Sequence, residues 1–192
     1  RYPAAAEPVD DPRFDVATLD RDPGWKLRAP DSLLSERVRL AEWAAEQADA
    51  VASYRHGAVD LPGIDGLADE IREQLDEGFG VAWVTGVPVE GDRETASLLY
   101  LAVGAALGPV METYGRLYAV VDRGERYQKN AIPVSQTRES TGMHTDRSRL
   151  DNVPDYVGLL CQRPARHGGG SRISSAAQAH ESLRRLDGAS LE

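Results

Sequence analysis

The sequence predicts an α+β chain, and three observations carry that reading. Apolar residues recur at three- and four-residue steps through the first half, as helices that bury one face require. From about residue 80 onward, short apolar runs bounded by Gly and Pro also occur between the helical stretches, as strands do. Between two such runs lies Thr141-Gly142-Met143-His144-Thr145-Asp146-Arg147-Ser148, a polar segment that places His144 and Asp146 two positions apart.

Residues 1–30 contain Pro3, Pro8, Pro12, Pro23 and Pro30 among many Asp residues, with little periodicity. They read as an extended arm, with Trp25 as the side chain able to anchor it on a core. Pro30-Asp31-Ser32 opens a helix, capped by Asp31 or Ser32, that runs to about Tyr54 with Leu34, Val38, Ala41, Ala45 and Ala48 on its apolar stripe. His56 follows its C-terminal end, where the helix dipole favours a cation, so a structural role is expected of it. Pro62-Gly63 restarts the chain, and Leu67, Ile71 and Leu75 mark a second helix stopped by Gly78. A short strand is expected within Gly80–Pro88, then a third helix from about Glu94 to Leu107, capped by Asp92 and ended by Gly108-Pro109. Leu117–Asp122 reads as a further strand, and residues 123–141 as a polar loop.

Composition narrows the function. The 192 residues suffice for one domain with a sizeable core. With 22 basic against 31 acidic residues, a net charge of −9 and no basic run, the chain would repel a polyanion, so no nucleic-acid partner is expected. No stretch is long and apolar enough to cross a bilayer, and a signal-type apolar segment is absent from the first residues, so the expected compartment is the cytoplasm. The single cysteine, Cys161, excludes an internal disulfide framework and reads as an inert residue of an apolar strand. The chain starts at Arg1 rather than Met and stops just after a predicted helix, which suggests a portion of a longer protein.

In an extended segment, residues two apart leave the same face, so His144 and Asp146 would point together with Thr145 turned away. Two His and one carboxylate on one face of an octahedral ion form the set that suits non-haem Fe(II) and leaves positions open. His144 and Asp146 would supply two of those three. A bland surface strand is the competing reading of the triplet alone.

The residues after the triplet add specificity. Pro154-Asp155-Tyr156-Val157-Gly158-Leu159-Leu160-Cys161 reads as a buried strand, and Gly168-Gly169-Gly170-Ser171 as a turn leading to a helix over Ala176–Leu186. This order resembles the TauD/TfdA family of Fe(II)/2-oxoglutarate-dependent dioxygenases, and the Pro154–Cys161 run is similar to its clavaminate-synthase-like branch. The strand before Gly86-Val87-Pro88 fits the same family, and the likeness covers roughly residues 78–190. It implies a double-stranded β-helix (jelly-roll, cupin-like) core with the N-terminal helices packed against it. Residues 31–192 would be the N-terminal and central part of one dioxygenase domain, with C-terminal strands missing.

The resemblance also implies the chemistry. His144 and Asp146 would bind Fe(II), and the co-substrate 2-oxoglutarate would be contacted through Ser171, which closes the Gly-Gly-x-Thr/Ser pattern, with a plain turn residue, or Arg172 as the anion binder one register on, as the alternatives. Oxidation of a C–H bond of a small polar molecule, such as an amino acid or natural-product intermediate, would consume O2 and release succinate and CO2. Halogenating relatives replace the carboxylate with a small residue, so Asp146 argues for oxygen transfer. Arg147 and Arg149 are candidates for an anionic group of the substrate, with surface ion pairing as the alternative. The family's second iron-binding His and its 2-oxoglutarate Arg come from late strands, and neither His167 nor His180 matches that His. A rival reading is a non-catalytic jelly-roll or helical interaction protein without a metal. A zinc hydrolase would need further His or Cys ligands close by. The sequence sets neither the substrate nor the oligomeric state.

Overall fold

The computed structural model describes residues 13–124, 133–146 and 152–186. Arg147 and Arg149, the substrate candidates, lie outside the described residues, as do residues 1–12 of the expected arm. The chain divides into two compact units, one formed by residues 1–109 with 162–192 and the other by residues 110–161.

The first unit is built on helices α2 (Leu33–Ala45), α4 (Pro62–Asp76) and α5 (Arg93–Leu107), which pack on one another, with the short α3 (Ala50–Ser53) against α5. Leu33 and Leu40 of α2, Ile64 and Leu67 of α4, and Leu98, Leu99 and Leu101 of α5 are almost wholly buried at their junction. Tyr54 closes this core with its ring edge-on to Trp43, at a centroid distance of 5.6 Å. Burying such side chains contributes about 1.5–3 kcal/mol each, so this junction is the main store of stability in the unit.

The caps explain where the helices begin and end. The Asp92 carboxylate accepts from the N–H groups of Glu94 and Thr95 at the start of α5, as the sequence predicts. At the other end, Arg72 of α4 donates to the Ala106 carbonyl at 2.9 Å, satisfying a terminal acceptor of α5. α4 has no side-chain cap from its own N-cap residue, Leu61. Glu36 of α2 supplies it instead: its Oε1 accepts from Gly63 N at 2.6 Å and its Oε2 from Ile64 N at 2.9 Å.

Three expectations need correction in this unit. The described part of the arm is not extended: it forms α1 (Val16–Arg21), a 3-10 turn over Pro23–Trp25 and strand β1 (Lys26–Arg28). β1 pairs in parallel with β2 (Trp83–Thr85), Leu27 beside Val84, and Trp25 stacks on Trp83 with centroids 5.9 Å apart. The helix expected over residues 31–54 is interrupted after Ala45, where Asp49 starts α3 by accepting from Ala52 N. Its expected apolar stripe is turned outward, with Leu34 63% and Val38 54% exposed, because the face that carries Leu33, Glu36 and Leu40 is the buried one. His56 sits beyond α3 and pairs with Asp65 of α4 at 2.8 Å. Helix α6 (Ala176–Leu186) matches its expected span.

The second unit contains, among its described residues, one 3-10 turn over Val134–Gln136 and no helix or strand. Leu117–Asp122 is therefore not a strand. It is tied to the 3-10 turn through side chains instead: Gln136 Nε2 donates to the Tyr118 hydroxyl at 3.1 Å, and Arg138 pairs with Asp122. Pro154–Cys161 is likewise neither a strand nor buried, since Val157 is 58% and Leu159 79% exposed and Cys161 faces solvent. A strand exists through its ladder, and no neighbouring backbone among the described residues bonds to Val157–Cys161. The paired strands of the described residues are β1 and β2 alone. No helix among them is long and apolar enough to cross a membrane.

Candidate metal centre

His144 and Asp146 lie in the second unit, after a bend at Met143 and with Asp146 itself in a turn, and neither belongs to a strand. The two side chains nevertheless converge. His144 Nε2 stands 3.2 Å from Asp146 Oδ1, and both side chains are about half exposed, at 54% and 48%. The other ring nitrogen, Nδ1, bonds to the Gly142 carbonyl at 2.8 Å. A carbonyl oxygen can only accept, so this contact calls for a proton on Nδ1. In the neutral ring it leaves the Nε2 lone pair facing the carboxylate. The Gly142 bond is also the main reason why the imidazole holds its proton above the ordinary histidine range, with the Asp146 charge adding to it.

These donors fit a first-row divalent ion. Two ligand atoms about 2.1 Å from one ion are separated by about 3.0 Å at an octahedral right angle and about 3.4 Å at a tetrahedral angle. The 3.2 Å between Nε2 and Oδ1 falls between the two. One imidazole nitrogen and one carboxylate oxygen also match iron, which takes nitrogen and oxygen donors. Among the described residues no third His, Cys, Asp or Glu completes a metal-binding group. His167 and His180 are exposed in the first unit, the latter on α6.

Ser171 belongs to the first unit and is exposed. It follows Gly168 and Gly169, both left-handed at φ +71° and +73°, and a Cβ on Gly169 would stand 3.0 Å from that of Ala165. The turn therefore needs glycine at these positions. Ser175, four residues on, is buried and starts α6, its Oγ accepting from Gln178 N at 3.1 Å. Its signal was present in the sequence as Ser175-x-x-Gln178, a capping-box pattern. The Gly142 carbonyl had no such signal, because every residue carries one.

Comparison with known proteins identifies the family. The sequence pattern of the family "Taurine catabolism dioxygenase TauD, TfdA" matches residues 41–192, a span that includes His144, Asp146 and Ser171. The chain is also 32% identical over 164 residues to FR-33289 synthase of Streptomyces rubellomurinus, an alignment covering 83% of this chain and 47% of that protein. It thus spans about half the length of this curated relative. On the family match, which takes in most of the sequence, the chain belongs to the TauD/TfdA dioxygenase family.

Proposed function

We propose that this chain carries two of the three protein ligands of the iron site of an Fe(II)/2-oxoglutarate-dependent oxygenase acting on a small polar molecule. The observation that carries the reading is the convergence of His144 Nε2 and Asp146 Oδ1 at a spacing that suits one ion, inside a chain of this dioxygenase family. Iron with 2-oxoglutarate would supply the activation of O2 that oxidises an unactivated C–H bond.

The chain's own residues have narrower tasks. His144 offers Nε2 while the Gly142 carbonyl fixes the ring's orientation through Nδ1, which makes the nitrogen a better donor. Asp146 offers an anionic oxygen and lowers the net charge of the loaded site. Ser171 would donate its hydroxyl to the distal carboxylate of 2-oxoglutarate. Arg147 and Arg149 would meet an anionic group of the substrate. The domain proposed for the complete activity has further strands that bring the second His and the co-substrate Arg. A relative named as a synthase supports a natural-product intermediate as the substrate class.

The test is an anaerobic titration of the protein with Fe(II) and 2-oxoglutarate, reading the visible charge-transfer band of chelated 2-oxoglutarate. The expected result is a band that is lost in Asp146→Ala, with stoichiometric Fe(II) binding lost in His144→Ala. A protein without Fe(II) affinity at excess metal would refute the reading.

A further inference from the structure

Among the described residues the second unit offers His144 and Asp146 no helix or strand for support, only the 3-10 turn over Val134–Gln136. That turn is fastened to an earlier part of the same unit by main chain and side chains together. Arg123 N donates to the Gln136 carbonyl at 3.0 Å. The Tyr118 hydroxyl accepts from Gln136 Nε2 at 3.1 Å and lies 3.1 Å from Ser135 Oγ. Asp122 uses both carboxylate oxygens, Oδ1 for Gly124 N at 2.8 Å and Oδ2 for Arg138. Past the turn, Thr137 N donates to the Val134 carbonyl at 3.0 Å and Glu139 N to Thr137 Oγ1 at 3.1 Å. The chain is thus pinned as far as Glu139, five residues before His144.

We propose that Tyr118, Asp122 and Arg138 are positioning residues of the metal centre, which together fix the point from which the segment bearing His144 and Asp146 departs. The inference rests on the iron-site reading above. Five residues reach about 17 Å at full extension, so a fixed foothold at Glu139 confines His144 before any ion arrives. Binding then has less chain to order, and the entropic cost of ordering falls with it. Each contact is modest by itself, because Tyr118 is 45% exposed and the Arg138 side chain 87%, and exposed pairs contribute little. The effect on metal affinity is therefore about threefold for one contact and about tenfold for two.

The test is a Co(II) titration of the protein at fixed pH and ionic strength, read from the visible bands of the bound ion. Tyr118→Phe, which alters no charge, is expected to weaken binding about threefold, and Tyr118→Phe combined with Asp122→Asn about tenfold. Arg138 supplies the deciding sign. If charge alone acted, removing a cation from the unit that binds the ion would strengthen binding, whereas loss of the foothold weakens it. Arg138→Ala is therefore expected to bind about threefold more weakly than the parent, and Arg138→Lys, which keeps the charge opposite Asp122, within about twofold of it. Asp69→Asn breaks an exposed pair with Arg72 in the first unit and should leave the affinity unchanged. Thermal unfolding of the helical core, which belongs to the first unit, should be the same in every neck variant. An Arg138→Ala protein that binds Co(II) as tightly as the parent or more tightly overturns the proposal, as does a Tyr118→Phe/Asp122→Asn protein indistinguishable from the parent. A parent that binds no Co(II) overturns it together with the iron-site reading.

Discussion

Replacing Glu36 tests how the helical core is held together. Its side chain is wholly buried, yet it is charged, and it bridges two helices by accepting the first two free N–H groups of α4, from Gly63 and Ile64. Two charge-assisted hydrogen bonds contribute about 1.5–3 kcal/mol each. The helix dipole favours a negative charge at that end by up to about 2 kcal/mol in partly buried geometry. Arg39 lies 3.5 Å from Oε1 but is 45% exposed, so screening limits its share to well under about 1 kcal/mol. Glu36→Ala strands two N–H groups and leaves a cavity, for an expected loss of about 4 kcal/mol. At about 3 °C per kcal/mol for a chain of this length, Tm falls by about 12 °C. Glu36→Gln keeps one acceptor but points an NH2 group at a backbone N–H, and is expected to lose about half as much. Arg39→Ala should change Tm by no more than about 2 °C. The assay is thermal unfolding followed by near-UV circular dichroism of the Trp43–Tyr54 pair, which sits in this core. A Glu36→Ala protein within about 1 kcal/mol of the parent would refute the capping argument, as would a Gln variant as stable as the parent.

Two further outcomes rest on the site and the core. Metal must displace the proton of His144, and the Gly142 bond and Asp146 hold that proton above the ordinary histidine range of about 6.5. As pH is lowered, metal affinity should therefore begin to fall at a pH above that value and then drop about tenfold per unit, as Co(II) titrations at several pH values would show. The sign for folding is opposite: a raised pKa stabilises the folded state below the unfolded value, and that contribution disappears as pH rises through the folded one. In the core, Leu99→Ala removes a side chain with no exposure and should cost about 3 kcal/mol in urea unfolding.

The helices were legible where the chain writes its own punctuation. Pro62-Gly63, Asp92 and Gly108-Pro109 fix α4 and α5 because caps and breakers act locally. The buried face of α2 was not legible, since periodicity weighs Leu34 and Val38 as core and Glu36 as surface, and only the approach of α4 reverses that ranking. Pro154–Cys161 misled for a related reason: its composition suits a strand, but a ladder needs a second backbone that composition does not reveal. At the site, His144 and Asp146 stand 3.2 Å apart through a turn at Asp146, not through the shared face of a strand that the spacing suggested. The hydrogen bond that orients the imidazole comes from main chain, which no residue pattern encodes.

Gln162 sets an order of events in folding. Its side chain bonds to Arg93 and Ser97 of α5, so the first unit is finished by residues that emerge from synthesis only after the whole of the second. The junction of α2, α4 and α5 draws on the chain up to Leu107 and can assemble beforehand. Fastening Gln162 onto α5 must then close a loop of more than sixty residues, at an entropic cost that grows only slowly with its length. A nascent chain would therefore pass through a stage with its helical core formed and Gln162 not yet fastened to α5.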